Sequence, residues 1–204
     1  MKKSLVALAV VAAVPAFAQA QTSVQLTGSV DVAVESLNKH ANSSGKSDLQ
    51  VNDGVWDGSK VGIVGSEELG NGLKAIFNLE YEANADNGRL ADTDRFWAGQ
   101  SWVGLNGGFG TVKLGRQDSP IKGAIEAGDV TGQSWYYNSE DLAGIVDKVD
   151  NAISYATPSM GGLTLAVAYA SGEATAPAGN DRLNKLNDAY SVGLLGDWGS
   201  FRAG

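Results

Sequence analysis

Glu80 and Glu82 are the two residues whose types and spacing most directly suggest chemistry. They lie two positions apart in a segment that alternates apolar and polar residues, and two residues on the same face of a strand are about 6.5 to 7 Å apart. This separation falls in the range that inverting glycosidases use for their acid and base. However, no binding cleft is readable around the pair, and charges that alternate along the wall of a water-filled channel would have the same spacing. We therefore predict that the protein is not an enzyme.

The side chains that most often carry catalysis or hold metals are almost missing from the chain. It has no Cys and a single His, which excludes thiol nucleophiles, disulfides and Cys/His zinc sites. His40 lies in the polar stretch NKHANSSG (38–45), which is typical of a solvated loop. We expect no catalytic residue, no metal and no cofactor.

Charge and composition exclude one class of partner and favour one fold class. The formal net charge is -8, and without a basic stripe the chain cannot neutralise phosphates, so we predict no nucleic-acid partner. The 204 residues include 27 Gly, and each Gly inside a helix costs about 1 kcal/mol. The composition therefore favours an all-β chain rich in tight turns.

The first twenty residues have the pattern of a secretory signal peptide. Lys2 and Lys3 precede an apolar run at 5–14, and Ala18 and Ala20 form a small-residue cleavage site. No later stretch approaches the 18 apolar residues of a membrane-spanning helix. The predicted domains are a signal peptide at 1–20 and an exported β-structured part at 21–204.

From residue 22 onwards the chain alternates between apolar and polar residues. The run at 24–35 is longer than the usual strand of a soluble protein and matches the 9 to 11 residues that cross a bilayer at a tilt. Further strands are predicted at 73–82 and 163–169, with shorter segments near 59–65, 96–105, 111–117, 151–157 and 189–197, about eight in all. The polar positions predicted to face water are Gln25, Thr27, Ser29, Asp31, Lys74, Asn78 and Glu80.

Short and long connections alternate along the chain. Tight Gly-rich turns are predicted at 70–72, 106–110, 160–162 and 197–199, and long polar stretches lie at 36–58, 84–94, 118–150 and 171–187. Consecutive antiparallel strands would place all the turns at one end of the sheet and all the loops at the other, which is typical of outer-membrane β-barrels. Aromatic residues predicted for the two interfacial girdles are Tyr81, Trp97, Trp102, Tyr155 and Tyr169. A β-sandwich that packs these aromatic residues in its core remains the alternative.

Several linked motifs resemble the general trimeric porins of β-proteobacterial outer membranes. They are SVQLTGSVD (23–31), SKVGIVGSEELGNGLKA (59–75), WVGL (102–105), GGFGTVKLGRQ (107–117) and NAISY (151–155) followed by Pro158. The resemblance extends from the signal peptide to the last residues. It implies a Gram-negative outer-membrane porin, a homotrimer of sixteen-stranded transmembrane antiparallel β-barrels in contact with outer-membrane lipids. Such a channel passes small hydrophilic solutes and ions.

The same resemblance implies that the third long connection folds into the lumen as a constriction. The stretch 118–150 is the longest connection, and it carries six acids, Glu126, Asp129, Glu140, Asp141, Asp147 and Asp150, against Lys122 and Lys148. Two positions where the family typically has Arg are Gly99 and Ser154 here. The predicted pore-lining or constriction residues are Lys60, Lys74, Glu80, Lys113, Arg116, Glu126 and Asp129, although Arg116 is on the opposite parity from Lys113 and is a candidate for a strand end or a subunit contact.

The chain contains about half of the strands that such a barrel needs. About eight strands precede a segment at 200–204 that reads as the start of a ninth, without the closing strand that is typical of the family. We therefore expect a truncated porin, with a complete eight-stranded barrel as the structural alternative. The functional alternative is a small structural or adhesive outer-membrane barrel without a wide pore.

Overall fold

The computed structural model describes residues 22–37, 48–129, 145–172 and 188–204. The predicted signal peptide, His40, Glu140 and Asp141 lie outside these ranges. Within them, no helix is both long and apolar enough to cross a membrane.

The described residues form strands with one helix between the eighth and ninth of them. The strands are β1 (Ser23–Ser29), β2 (Val32–Leu37), β3 (Asp48–Asp53), β4 (Ser59–Gly70), β5 (Leu73–Asn84), β6 (Arg89–Leu90), β7 (Ser101–Gly107), β8 (Gly110–Asp118), β9 (Lys148–Ala156), β10 (Leu163–Ala170), β11 (Ala189–Asp197) and β12 (Arg202–Ala203), and the helix is α1 (Pro120–Gly128).

These strands build one large antiparallel sheet. Its hydrogen-bonded order is β1, β4, β5, β7, β8, β9, β10, β11 and β12, β6 pairs with β5, and β2 and β3 form a separate two-stranded sheet. Chain neighbours are therefore sheet neighbours almost throughout, as in a meander of hairpins. The predicted all-β antiparallel architecture is confirmed, including a last short strand that begins after β11.

The two faces of the sheet differ as the alternation predicts. Leu26, Val103 and Val192 point outwards and are exposed by 77%, 59% and 60%. Residues directly opposite each other in the register share a face, so the series Ile76, Gly104, Lys113, Ser154 and Ala168 follows the other face across five strands. We call these the outer face, which is apolar, and the inner face, which is polar or small.

The four predicted Gly-rich turns lie at one end of the sheet. Asn71 and Gly72 connect β4 to β5 with φ values of 53° and 76°, and Gly161 and Gly162 connect β9 to β10 with values of 62° and 88°. This left-handed region is where Gly and Asn are tolerated. The β7–β8 and β11–β12 connections lie at the same end because the strands alternate in direction, while the long connections lie at the opposite end. The predicted asymmetry is confirmed.

The structure corrects three details of the predicted strands. The run at 24–35 is not continuous, because it breaks at Val30 and Asp31 between β1 and β2. The stretches 36–58 and 84–94, both predicted to be loops, contain β3, which pairs with β2, and β6, which pairs with β5. The segment near 96–105 becomes a strand only at Ser101, although Gly99 and Gln100 exchange backbone hydrogen bonds with Glu80.

The sheet curves around its inner face. Lys148 on β9 reaches Glu82 on β5, with Nζ and Oε1 3.2 Å apart, although β7 and β8 lie between these strands. The compact apolar cluster is small and consists of Val149, Ala152 and Ala170. Curvature of this kind gives the inner face a concave space that polar side chains can line.

Aromatic residues collect on the outer face at both ends of the strands. Near the turns, the Tyr155 hydroxyl donates to the Phe109 carbonyl at 2.6 Å. Near the long connections, Tyr169 and Tyr190 pack with centroids 5.2 Å apart. Trp102 differs from its prediction, because the register places it opposite Asn78 on the inner face.

Candidate functional site

A polar cavity of about 930 Å³ lies on the inner face, at the end of the sheet that carries the long connections. It is bounded by β4 and β5 on one side and by α1 and the start of β9 on the other. Its lining includes eight carboxylates and three lysines: Asp53, Asp57, Glu80, Glu82, Asp118, Glu126, Asp129 and Asp147, with Lys60, Lys122 and Lys148. Negative charge therefore predominates in the cavity.

Each of the three lysines forms ion pairs with carboxylates of the cavity. Lys122 is buried, with its Nζ 2.5 Å from Asp147, 3.4 Å from Asp118 and 3.5 Å from Glu126. Lys148 has its Nζ 2.8 Å from Asp147 in addition to its contact with Glu82. These pairs join α1 to the start of β9, so the positive charges are largely neutralised locally.

Lys60 is paired within its own segment. Its Nζ lies 2.7 Å from Asp57 Oδ2, and its backbone is opposite Glu82 in the β4–β5 register. Both side chains of the ion pair line the cavity. The third cavity lysine is thus also held beside a carboxylate.

Asp147 lies in the loop before β9 and is in contact with two of these lysines. Burial raises the pKa of its carboxyl, but the charges of Lys148 and Lys122 outweigh this effect, so the pKa lies below its usual value of 3.8. A carboxyl whose pKa is depressed in the folded state contributes stability above its unfolded-state pKa, and this contribution is lost as the pH falls through the folded-state pKa.

Replacing Asp147 by Asn is therefore expected to destabilise the protein at neutral pH. We expect a loss of at most about 1 kcal/mol in the free energy of unfolding, because the carboxylate is partly exposed. Urea unfolding at pH 7 and at pH 3 measures the effect, and the difference between the two proteins should be smaller at pH 3. A difference of the same size at both pH values would contradict the assignment.

Glu80 is a carboxylate of the cavity wall that forms no ion pair in the described part of the chain. Within the ranges that the structure describes, no Lys or Arg forms an ion pair with it. Gly99 lies directly against it: the Gly99 amide donates to the Glu80 carbonyl at 3.1 Å, and a Cβ at Gly99 would overlap the Glu80 side chain. The Arg implied by resemblance at this position is absent, so the Glu80 charge remains exposed to the cavity.

Helix α1 begins where β8 ends and is fixed at its N-terminus. The Ser119 side chain accepts a hydrogen bond from the Lys122 amide at 3.3 Å and donates to the Val146 carbonyl at 2.7 Å. The Ser119 amide also donates to the Asp147 carbonyl at 2.9 Å. Pro120 occupies the first turn, where its missing N–H has no cost. These contacts bring the two ends of the third long connection together.

Small residues on the inner face of β11 make room for α1. The Ile121 amide donates to Ser191 Oγ at 3.1 Å. A Cβ at Gly193 would overlap the Pro120 carbonyl, and Gly123 faces the Leu195 side chain. The helix therefore lies inside the curve of the sheet, packed against its wall.

A side chain at Gly193 is expected to separate α1 from this wall. Gly193→Val would push against the backbone of Pro120, which cannot rotate away, so the helix must shift. Hydrogen exchange should show at least a tenfold faster exchange of the Ile121 amide, because its acceptor Ser191 is displaced. Gly128→Val is the matched control, since a Cβ there would meet nothing within contact distance. Equal exchange in both variants would contradict this packing.

Four of the seven predicted pore residues line the cavity: Lys60, Glu80, Glu126 and Asp129. Two others lie on the inner face nearer the tight turns. Lys74 pairs with Glu68 at 2.6 Å, and the Lys113 Nζ lies 4.3 Å from the ring centroid of Trp102.

The seventh, Arg116, is on the outer face. It is opposite Ser101 in the register, and its guanidinium contacts Asp150 at 2.6 Å and the Ala98 carbonyl at 2.7 Å. Arg95 contacts the same carboxylate at 2.8 Å. The parity predicted from the sequence accounts for this placement, which separates Arg116 from the cavity.

Several residues of the cavity lie outside the predicted set of pore residues. Asp53 and Asp57 come from a stretch that reads as an external loop, and Asp118 and Lys148 lie at the ends of the third connection. Their charge was visible, but their convergence depends on curvature and on α1, which alternation does not reveal. Ser154, where resemblance implies Arg, instead donates a hydrogen bond to Gln117. The described part of the chain contains no group of side chains suited to a metal ion.

Comparisons with known proteins agree with this geometry. The Gram-negative porin family matches residues 7–204. The chain is 36% identical over 205 residues to the major outer membrane protein P.IB of Neisseria gonorrhoeae, covering 95% of this chain and 53% of that protein. It is 39% identical over 179 residues to outer membrane porin protein 32 of Delftia acidovorans, covering 83% and 50% of the respective chains.

A solved structure shows the same fold. The anion-selective porin from Comamonas acidovorans superposes with a TM-score of 0.68 and 28% identity, covering 88% of this chain and 55% of that one. The chain spans about half the length of the curated relatives it matches. With its inward polar cavity, its apolar outer face and a family match over nearly all of its length, the chain belongs to the Gram-negative porin family.

Proposed function

We propose that the full-length protein forms a water-filled channel in the Gram-negative outer membrane for the passive diffusion of small hydrophilic solutes and ions. The observation that carries this proposal is the charged cavity on the inner face of a sheet whose outer face is apolar. Such a sheet satisfies its backbone groups within the wall, and its inner polar side chains contact water. A channel needs no chemistry, and porin family membership favours this function over an enzymatic one.

The proposal extends to partners and to the export signal. Trimer formation and contact with outer-membrane lipids are supported by the family and by the apolar outer face. Export through a signal peptide at 1–20 is supported by the sequence pattern alone. Neither nucleic acid nor a cofactor has a role in this function.

We also propose which residues the permeating ions meet. Lys60, Glu80, Glu126 and Asp129 line the cavity, and Lys74 and Lys113 lie on the inner face below it. The excess of carboxylates favours cations at low salt. The Comamonas relative is named as anion-selective, so a cation preference in this protein would be a difference in ion selectivity between the two proteins.

Single-channel recording of the purified full-length protein in a planar bilayer tests the function. Stepwise, ohmic conductance increments would support a channel. A protein that inserts, as judged by protease protection in vesicles, but conducts no ions would favour the alternative of a structural or adhesive barrel.

A further inference from the structure

Asp31 interrupts the first long strand run and binds a distant turn. It lies between β1 and β2, and its Oδ2 accepts hydrogen bonds from the amides of Trp56, Asp57 and Gly58 at 2.6, 2.9 and 3.3 Å. These three amides belong to the turn at 54–58 that connects β3 to β4. A single carboxylate oxygen thus accepts hydrogen bonds from three successive backbone amides of that turn.

The backbone of Asp31 holds both ends of the same turn. Its carbonyl accepts from the Gly54 amide at 3.2 Å, and its amide donates to Ser59 Oγ at 2.9 Å. Gly54 and Gly58 have φ values of 74° and 76°, which orient successive N–H groups into a concave nest that suits an anion. The anion that fills this nest is Asp31.

The turn held in this way carries the partner of a pore lysine. The backbone amide of Asp57 donates a hydrogen bond to Asp31, and the carboxylate of Asp57 pairs with Lys60. Both Asp57 and Lys60 line the cavity. Asp31 is therefore bound to the turn that carries the carboxylate partner of Lys60.

We propose that Asp31 is a positioning residue for ion selectivity: by binding the amides of the 54–58 turn, it holds Asp57 against Lys60 and suppresses the positive charge of that lysine in the pore. This inference rests on the proposed channel function. Asp31 acts through Asp57 and needs no contact with a permeating ion.

The electrostatics of Asp31 support this role. The hydrogen bonds from the amides of Trp56 and Asp57 hold the pKa of its carboxyl below its usual value. The group is therefore fully ionised at neutral pH, which strengthens each hydrogen bond to the turn.

Two substitutions at Asp31 distinguish its role in positioning the 54–58 turn from the effect of removing its own charge. Asp31→Asn removes the charge but keeps an oxygen that can accept from the turn, whereas Asp31→Ala removes both. In the full-length protein at low salt, we expect the cation-to-anion permeability ratio of Asp31→Ala to be about twofold lower than that of Asp31→Asn, because only the alanine variant releases Asp57 from Lys60. Reversal potentials in a salt gradient measure this ratio.

The same pair of variants is then compared in an Asp57→Asn background. Because the Lys60 partner is already lost there, the alanine and asparagine variants should have equal permeability ratios. Amide hydrogen exchange provides a second readout, and the 54–58 amides should exchange faster in Asp31→Ala than in Asp31→Asn.

The outcomes are distinguishable from a failure of the proposed function. If the wild-type protein conducts but the two Asp31 variants do not differ, the positioning role is overturned while the channel stands. A difference that persists in the Asp57→Asn background also overturns it, because Asp31 would then act by another route. A wild-type protein that does not conduct overturns the channel, and the inference with it.

Discussion

Replacing residues 120–145 of the full-length protein with two glycines is expected to raise its single-channel conductance about twofold. The replacement removes α1, and a helix with its side chains is about 10 Å across, a large part of a channel cross-section. The deletion is geometrically mild, because the Ser119 amide already lies 2.9 Å from the Asp147 carbonyl and its side chain 2.7 Å from the Val146 carbonyl. Strands β8 and β9 can therefore remain paired.

The control for this variant is a shortened connection that does not enter the cavity. Deleting Asp86 and Asn87 shortens the exposed turn between β5 and β6 without removing any residue of the cavity lining. Its conductance should equal that of the wild type. Unchanged conductance in the 120–145 variant, with trimers of wild-type heat stability, would show that α1 does not limit the flow of ions.

Glu80→Gln is expected to lower the cation-to-anion permeability ratio by about threefold or more at low salt. An ion that passes about 7 Å from a unit charge in water gains or loses about 0.6 kcal/mol, which changes its local population about threefold. Glu80 has this effect because no cation among the described residues pairs with it. The change should nearly disappear at 1 M salt, where the Debye length is about 3 Å.

A carboxylate on the opposite face provides the matched control. Glu67 is exposed beside Val24 and Phe77 on the outer face, so Glu67→Gln removes the same formal charge without affecting the inner path. Gly99→Arg neutralises Glu80 in a second way, because it places a cation against the Glu80 side chain, and it should also lower the cation-to-anion permeability ratio. Equal ratios for Glu80→Gln and Glu67→Gln would show that net charge, and not the Glu80 position, sets selectivity.

The parts of the structure that follow from local rules were predictable from the sequence. The alternation in β5 fixes which side chains share a face, and the Gly-rich turns at Gly72 and Gly162 fix where hairpins close. The opposite parity of Lys113 and Arg116 survives in the structure for the same reason, since a period of two leaves little freedom once the register is set.

The features that could not be predicted from the sequence depend on contacts between residues that are far apart in the chain. Asp31 reads as one more polar wall position, yet it binds a turn about 26 residues away, which alternation cannot show. Trp102 reads as an interfacial aromatic residue, but the register turns it inwards, where it packs against Lys113. Helix α1 has a start signal in Ser119 and Pro120, but its place inside the curved sheet depends on the β11 wall, which is distant in sequence.

The close packing of α1 against β11 limits which segments can be exchanged between related channels. Ser191 and Gly193 leave a shallow seat on β11, and the α1 backbone fills it so closely that even one methyl group at Gly193 would collide. Helix α1 and strand β11 therefore have complementary shapes, although about seventy residues separate the contacting positions. In a chimera that takes only the third connection from this protein, α1 would have no complementary surface to pack against. Transferring the selectivity of this protein to a related channel should therefore require both the third connection and β11.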